Sequence, residues 1–326
     1  MTPRRPDAAK AIVLRAVAGL ALLFAAACGD VSTGTSGPVS EEIATEVRDL
    51  VDVSREVRPN GSVFAGTPER TLATRIWYRL DAPPGAPACG RRGCSLVVLA
   101  HGFGGSTARF DAYARALATA GYVVAAPTFP LTNEAAPGGI IAGFSDVTEQ
   151  PGDVSFAIDA LFASSGDPAD PLSGRLDPSR KVGLMGHSLG GATAVAATRT
   201  SCCSDARIAA SVLVAPAVGI VSAMFGEKPS PAGPPTLLVN GTLDAAIPHD
   251  GSLAWVRTLD HPAAFLSVPG AHHSDLIENV GEPAEFLEPT IVGSTGLFDE
   301  YVSGERGALD AAASSLVDLG YELLGP

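Results

Sequence analysis

Positive charge is scarce in this 326-residue sequence, and charged residues of either sign are few. Lysine and arginine together number 22 against 35 aspartates and glutamates, so the formal net charge is −13, and only 17% of the residues are charged. A surface of this sign repels phosphate backbones and anionic lipid headgroups, so we expect no nucleic-acid partner. With 46% hydrophobic residues, the chain can instead bury the core of a globular domain.

Motifs for the common cofactors are also missing. His272, His273 and Asp275 are near neighbours, but no H-E-x-x-H stretch and no distant acidic cluster accompanies them to complete a metal site. Residues 102–107 lack the third glycine of the dinucleotide-binding fingerprint. We therefore expect neither a metal ion nor another cofactor.

The N-terminus lacks an apolar run long enough to span a membrane. Four basic residues precede an apolar stretch over residues 16–27, which is too short for a hydrocarbon core of about 30 Å. This pattern is typical of a signal peptide, which we assign to residues 1–27. Cys28 follows three alanines, as in a bacterial lipoprotein box, so lipidation of Cys28 is favoured over a simple signal-peptidase cut.

The export signal has consequences for the rest of the chain. Residues 28–40 are rich in glycine, serine and threonine, as a flexible tether is, and residues 41–326 are predicted to form one extracytoplasmic domain, either lipid-anchored or secreted. The membrane would be a partner only through the anchor. An oxidising compartment favours disulfides among four cysteines. A local Cys89–Cys94 bridge is plausible, a bridge between the adjacent Cys202 and Cys203 is uncommon, and cross-pairing of the two clusters stays open.

The hydrophobic pattern changes in character along the domain. Residues 43–53 and 71–80 alternate apolar and polar side chains, which predicts an antiparallel hairpin. From residue 95 onwards, short apolar strands alternate with helical patterns, which predicts parallel βαβ units. We therefore expect a single α/β domain with a mostly parallel sheet of about eight strands flanked by helices. Residues 132–152 form the longest stretch without a pattern, as is typical of a lid or binding loop.

One glycine-rich motif lies where a predicted strand runs directly into a predicted helix. The sequence Gly186-His187-Ser188-Leu189-Gly190 has the form of a nucleophile elbow. In such a turn the serine adopts a strained backbone conformation, and flanking glycines remove side chains that would collide. A simpler interpretation is a helix-capping serine in a glycine-rich turn. The strand-to-helix context favours Ser188 as a nucleophile.

A second motif supports this interpretation. His101-Gly102-Phe103-Gly104-Gly105 follows the first predicted strand of the parallel sheet. In proteins with a nucleophile elbow, the loop at this position supplies one backbone N–H of an oxyanion hole, and the residue after the nucleophile supplies the other. The predicted donors are therefore the backbone N–H groups of Phe103 and Leu189.

A general base and an acid must accompany the serine, in the chain order Ser, Asp, His. Of the six histidines, His272 and His273 follow the last predicted strand of the parallel sheet, where the base should lie. Asp244 follows the preceding strand after a short turn and is the predicted acid. Asp250 and Asp260 are alternatives that lie farther from the end of that strand.

Together these motifs resemble a known family. HGFGG, GHSLGGAT and GAHH, with DVSR at residues 52–55 and QPGDV at residues 150–154, are similar to bacterial α/β-hydrolases described as predicted dienelactone hydrolases. These are akin to platelet-activating-factor acetylhydrolases and cutinase-like polyester hydrolases. The resemblance implies an α/β-hydrolase fold and a triad of Ser188, Asp244 and His273, because the family's base commonly lies three residues after a glycine, here Gly270.

The resemblance implies a serine-dependent carboxylic ester hydrolase, esterase-like or lipase-like, that works through an acyl-enzyme without a cofactor. Its substrate would be a small or polymeric ester. True dienelactone hydrolases carry a cysteine where this chain has Ser188, and polyester hydrolases usually carry methionine where it has Leu189 and a cleft tryptophan, whereas Trp255 falls on a predicted outer helix. The alternatives are a peptidase or thioesterase with the same triad, and a non-enzymatic surface lipoprotein on a hydrolase scaffold.

Overall fold

A computed structural model describes residues 43–80, 89–90, 93–260, 262–277 and 284–325. The predicted signal peptide, the tether and Cys28 lie outside the described residues, so the boundaries at residues 27 and 40 stay predictions. His261 also lies outside them. Within the described residues, no helix is both long and apolar enough to cross a membrane.

The described residues form eleven strands and seven α-helices. The strands are β1 (Ile43–Asp52), β2 (Arg70–Arg79), β3 (Cys89–Gly90), β4 (Gly93–Cys94), β5 (Leu96–Ala100), β6 (Val123–Pro127), β7 (Val182–His187), β8 (Ile208–Val214), β9 (Thr236–Gly241), β10 (Ala263–Val268) and β11 (Leu323–Leu324). The helices are α1 (Asp111–Thr119), α2 (Gln150–Gly166), α3 (Leu189–Arg199), α4 (Gly219–Phe225), α5 (His249–Val256), α6 (Leu287–Phe298) and α7 (Ala308–Asp318). A 3-10 helix over Ala142–Glu149 precedes α2.

Nine of these strands form one sheet in the order β1-β2-β6-β5-β7-β8-β9-β10-β11. The strands from β6 across to β10 pair in parallel, while β1 and β2 form the predicted antiparallel hairpin at one edge. The mostly parallel α/β fold is therefore confirmed. The ninth strand, β11, has only two residues, which is too short for any sequence pattern to reveal.

The core lies on both faces of the central strands. In β5, Leu96, Val98 and Ala100 belong to one hydrophobic cluster, and Val97 and Leu99 belong to the other. Burial on both faces explains why β5 reads as a continuous apolar run rather than an alternating one. Such a sheet directs the carboxyl ends of all its parallel strands to one edge, where the loops meet.

Helix α6 was not predicted, because its sequence contains Pro289, Gly293 and Gly296, which disfavour a helix interior. Packing explains the glycine at 296. A Cβ atom on Gly296 would lie 2.3 Å from the Cβ of Ala312 in α7, so only glycine permits this close approach of the two helices. Tertiary contact here overrides local propensity.

Buried ion pairs attach the 3-10 helix and α2 to the edge hairpin. The guanidinium of Arg70 is fully buried and binds both oxygens of Asp146 at 2.9 Å and both oxygens of Asp153 at 2.6 and 2.7 Å. Arg55 adds a contact of 2.9 Å to Asp153. Residues 132–152, where a lid or binding loop was predicted, are thus tied to β2 at their C-terminal end.

Two disulfides are present among the described residues. Cys89 bridges to Cys94 across the short β3–β4 hairpin, and Cys202 bridges to the adjacent Cys203 just after α3. The pairing is therefore local within each cluster, and the alternative of cross-pairing is not observed. The uncommon vicinal bridge is the one that forms at residues 202 and 203.

Candidate active site

Ser188 occupies the sharp turn between β7 and α3 with φ 54° and ψ −115°. A positive φ is costly for a residue with a side chain, and in the described part of the chain only Ala215 shares it among non-glycine residues. The flanking glycines are required sterically. A Cβ atom on Gly186 would lie 2.1 Å from the carbonyl oxygen of Gly190, and one on Gly190 would lie 2.0 Å from that of Ala100. The turn has the geometry of the predicted elbow.

Asp244 and His273 lie on the loops that follow β9 and β10, and a hydrogen bond joins them. The distance from His273 Nδ1 to Asp244 Oδ2 is 2.7 Å. The other carboxylate oxygen of Asp244 accepts the backbone N–H groups of Ala246 and Ile247, each at 2.8 Å. The Asp244 side chain is fully buried, whereas that of His273 is 24% exposed. The carboxylate is thus held in one orientation, with the histidine ring between it and solvent.

Ser188 and His273 line one pocket of about 150 Å³ together with the loop 101–106. Among the described residues, no hydrogen bond joins Ser188 Oγ to His273. Catalytic hydrogen bonds are often long in unliganded enzymes and shorten when substrate binds. The structure therefore brings the predicted acid and base into direct contact and places the predicted nucleophile in the same pocket.

The predicted oxyanion loop runs directly against Ser188, the predicted nucleophile. A Cβ atom on Gly102 would lie 3.1 Å from that of Ser188. The loop is held by a hydrogen bond from Gly104 N to Thr132 O at 2.8 Å. Leu189 is the first residue of α3, where backbone N–H groups have no partner within the helix. The backbone of Phe103 and that of Leu189 thus both adjoin Ser188.

His101 holds the peptide group that carries the Phe103 N–H. The backbone N–H of Phe129 donates to His101 Nε2 at 3.0 Å, so the neutral ring carries its proton on Nδ1. That proton is donated to the carbonyl oxygen of Gly102 at 2.8 Å. Burial lowers the pKa of His101 to about 4. The sequence identified His101 only as part of a motif, because Phe129 is 28 residues away.

His187, the residue before Ser188, contacts the predicted base, His273. Its Nε2–H donates to the backbone carbonyl of His273 at 3.0 Å, and the two ring centroids are 4.8 Å apart. Burial, followed by the effect of the neighbouring His273, lowers the pKa of His187 to about 3. A neutral His187 therefore links the turn at Ser188 to the loop that carries His273. This role was not predicted from the sequence.

The competing candidates lie outside this arrangement. The Asp250 side chain is fully exposed and lies 3.3 Å from His249 rather than from His273. His272 is exposed, with its Nδ1 3.2 Å from the carbonyl oxygen of Leu243. Asp260 is also exposed. Within the described ranges, no three histidine, cysteine or acidic side chains group as metal ligands.

A second and larger cavity of about 530 Å³ lies between α4 and α5. Its wall is mainly apolar and includes Ile220, Ile247 and Trp255. Trp255 does lie on α5 as predicted, but its side chain lines this cavity and is not confined to an outer surface. The sequence could not indicate the cavity, because it depends on the positions of two helices, one of them the unpredicted α4.

Comparison with known proteins agrees with this geometry. The model of the alpha/beta hydrolase family matches residues 97–316, which span the chain from β5 to α7 and contain Ser188, Asp244 and His273. No curated protein matches the sequence.

Proposed function

Because the chain belongs to the alpha/beta hydrolase family, we propose that it is a serine-dependent carboxylic ester hydrolase. The observation that carries the proposal is the 2.7 Å hydrogen bond between Asp244 and His273, in a pocket that also contains the strained Ser188. Acyl transfer by a serine hydrolase uses three groups: a buried carboxylate, an imidazole and a hydroxyl at a strand-to-helix turn. The hydrogen bond to Asp244 involves only Nδ1 of the His273 imidazole.

The first half of the reaction forms an acyl-enzyme. His273 Nε2 accepts the Ser188 proton as Ser188 Oγ attacks the ester carbonyl, and Asp244 stabilises the imidazolium that results. The developing oxyanion receives hydrogen bonds from the backbone N–H groups of Phe103 and Leu189. Loss of one such donor typically costs about 10²- to 10³-fold in kcat. The leaving alcohol departs with the proton from His273.

The second half hydrolyses that intermediate. A water molecule gives a proton to His273 and attacks the acyl group, and Ser188 leaves with the proton returned to it. Every step uses side chains and backbone groups of this chain, so the proposed cycle requires no cofactor. His101 and His187 stay neutral throughout because of their lowered pKa values, and they support the loop and the base as fixed hydrogen-bond donors.

The finer parts of the proposal rest on sequence motifs. The closer grouping is with the Ser-containing relatives of dienelactone hydrolases, platelet-activating-factor acetylhydrolases and cutinase-like enzymes. We also propose that the enzyme acts outside the cytoplasm, lipid-anchored through Cys28 or secreted, because a signal-peptide pattern precedes that cysteine. The substrate is a small or polymeric ester.

The test is turnover of p-nitrophenyl acetate by the wild type and three variants. We expect Ser188→Ala and His273→Ala to lose activity and labelling by a fluorophosphonate probe, while the matched control His272→Ala keeps both. Loss of activity in the His272 variant alone would refute the assignment of the base. Wild-type preference for a matched thioester or anilide over the ester would instead favour a thioesterase or a peptidase. Absence of a label at Ser188 would favour a non-enzymatic scaffold.

A further inference from the structure

We infer that the cavity of about 530 Å³ between α4 and α5 binds the acyl chain of the ester substrate, an inference that rests on the proposed function. Small-molecule sites typically have volumes of about 300 to 1,000 Å³ and mainly apolar walls. The pocket that contains Ser188 has about 150 Å³, which suffices for the reacting ester group but not for a long substituent. The larger cavity has the required volume.

Two residues in the wall of this cavity donate backbone hydrogen bonds to the proposed catalytic residues. The backbone N–H of Ala217 donates to the carbonyl oxygen of Ser188 at 2.9 Å, and that of Ile247 donates to Asp244 at 2.8 Å. The cavity therefore adjoins the nucleophile and the acid through their own hydrogen-bond partners.

The wall chemistry selects an apolar occupant. Ile220, Ile247 and Trp255 contribute hydrophobic side chains, and among the described lining residues the only charged one is Lys228, which is exposed. Burial of a methylene group against such a wall stabilises binding enough to change an equilibrium or rate ratio about fourfold. Each carbon of a saturated acyl chain therefore adds favourable binding free energy. A charged or strongly hydrated group would instead lose its water without a polar partner in the wall.

The acyl group is favoured over the alcohol as the occupant because of where His273 lies. His273 must donate a proton to the leaving alcohol, so the alcohol occupies the side of Ser188 that His273 lines. Ile277, which also lines that pocket, belongs to one core cluster, whereas Ile220 and Trp255 pack against the other. The two cavities thus adjoin different core clusters, and the acyl chain, rather than the alcohol beside His273, is assigned to the larger one.

Gly251 offers a direct way to fill the cavity. It lies in α5, lines the cavity, and has no atom within 4 Å of the position that a Cβ would take. Gly251→Leu therefore adds a side chain in open space. The matched control is Gly166→Leu, at the end of α2, where a Cβ would also meet no atom within 4 Å but no substrate cavity is involved. A second variant, Trp255→Ala, enlarges the cavity instead.

The experiment measures kcat/KM for p-nitrophenyl esters with acyl chains from two to ten carbons. In the wild type and in Gly166→Leu, we expect kcat/KM to rise about fourfold per methylene until the cavity is full. In Gly251→Leu the ratio of octanoate to acetate turnover should fall about tenfold or more, and in Trp255→Ala the preferred chain should lengthen. A parallel series of acetate esters with lengthening alcohols should respond to neither variant.

The outcomes separate this inference from the proposed function. An unchanged acyl-chain profile in both variants, with acetate turnover still dependent on Ser188, would overturn the inference and leave the ester hydrolase intact. A response confined to the alcohol series would also overturn it, because the cavity would then bind the leaving group. Absence of Ser188-dependent turnover for every ester would overturn the proposed function, and the inference with it.

Discussion

Replacing Arg70 with methionine would leave two carboxylates in the core without the cation that joins them. Arg70 is fully buried and binds Asp146 and Asp153 in a paired, two-oxygen geometry. Although burial disfavours its charge, the hydrogen bonds to Asp153 and Asp146 raise the pKa of Arg70, so it stays charged. Arg55 remains beside Asp153 in the variant, but among the described residues its ion pairs are with Asp52 and Asp153 and not with Asp146.

The expected cost follows from burial. Removal of one partner from a buried ion pair typically destabilises a protein by about 3 to 5 kcal/mol, because the remaining charge has neither water nor a counterion. At about 2.1 cal/mol/K of unfolding entropy per residue, a domain of this size loses roughly 5 to 8 °C of Tm for that change. Arg115→Met is the matched control, since Arg115 and Asp111 are 44% and 46% exposed. That pair should contribute no more than about 1 kcal/mol.

Urea unfolding followed by circular dichroism, together with calorimetry, measures both variants under the same conditions. If the unfolding free energy of Arg70→Met lay within about 1 kcal/mol of that of Arg115→Met, the reasoning from buried charge would be refuted. The network would then be compensated by water or by local rearrangement.

Two further predictions concern the site. Asp244→Asn should lower kcat about 10⁴-fold with little change in KM. The backbone N–H groups of Ala246 and Ile247 would still bind the amide oxygen, so the amide NH2 would face His273 Nδ1 and hold the ring proton on Nε2, which is the wrong tautomer for a general base. Steady-state kinetics test this prediction, and a kcat near that of the wild type would contradict it. Burial lowers the pKa of His101 in the folded state to about 4, below its value in the unfolded chain. As the pH falls below about 6.5, the unfolded chain therefore binds a proton that the folded protein does not, and the free energy of unfolding decreases. Between pH 7 and pH 5, the unfolding free energy of His101→Gln, measured with urea, should therefore decrease by about 2 kcal/mol less than that of the wild type. Equal decreases in the two proteins would count against a neutral, buried imidazole at this position.

The architecture was predictable, and the candidate triad residues could be selected, because their signals are local. A strand buried on both faces appears as a continuous apolar run, and a helix appears as a separate pattern, so their alternation alone predicts a parallel sheet. The elbow is likewise contained in five consecutive residues around Ser188. Asp244 and His273 could be chosen because strand ends in such a sheet meet at one edge, although their hydrogen bond spans 29 residues.

Features that depend on contacts between distant segments were missed. Arg70 and its partners are separated by 76 and 83 residues, and nothing near Arg70 in the chain indicates that it is buried. The contact from His187 to the His273 carbonyl spans 86 residues. Helix α6 was hidden by glycines that close packing requires. In each case tertiary structure determines the role of a residue whose neighbours in sequence are uninformative.

The backbone of Ser188 also bears on how this protein can evolve. At φ 54° the position suits glycine, which has no Cβ to collide, whereas any other residue there costs about 1 to 3 kcal/mol. Glycine, the residue with the least backbone strain at this position, therefore cannot perform the proposed reaction. A search for heat-resistant variants that ignored turnover would therefore tend to replace Ser188, the proposed nucleophile. Only selection for chemistry keeps serine in place, and the rest of the domain must be stable enough to tolerate it.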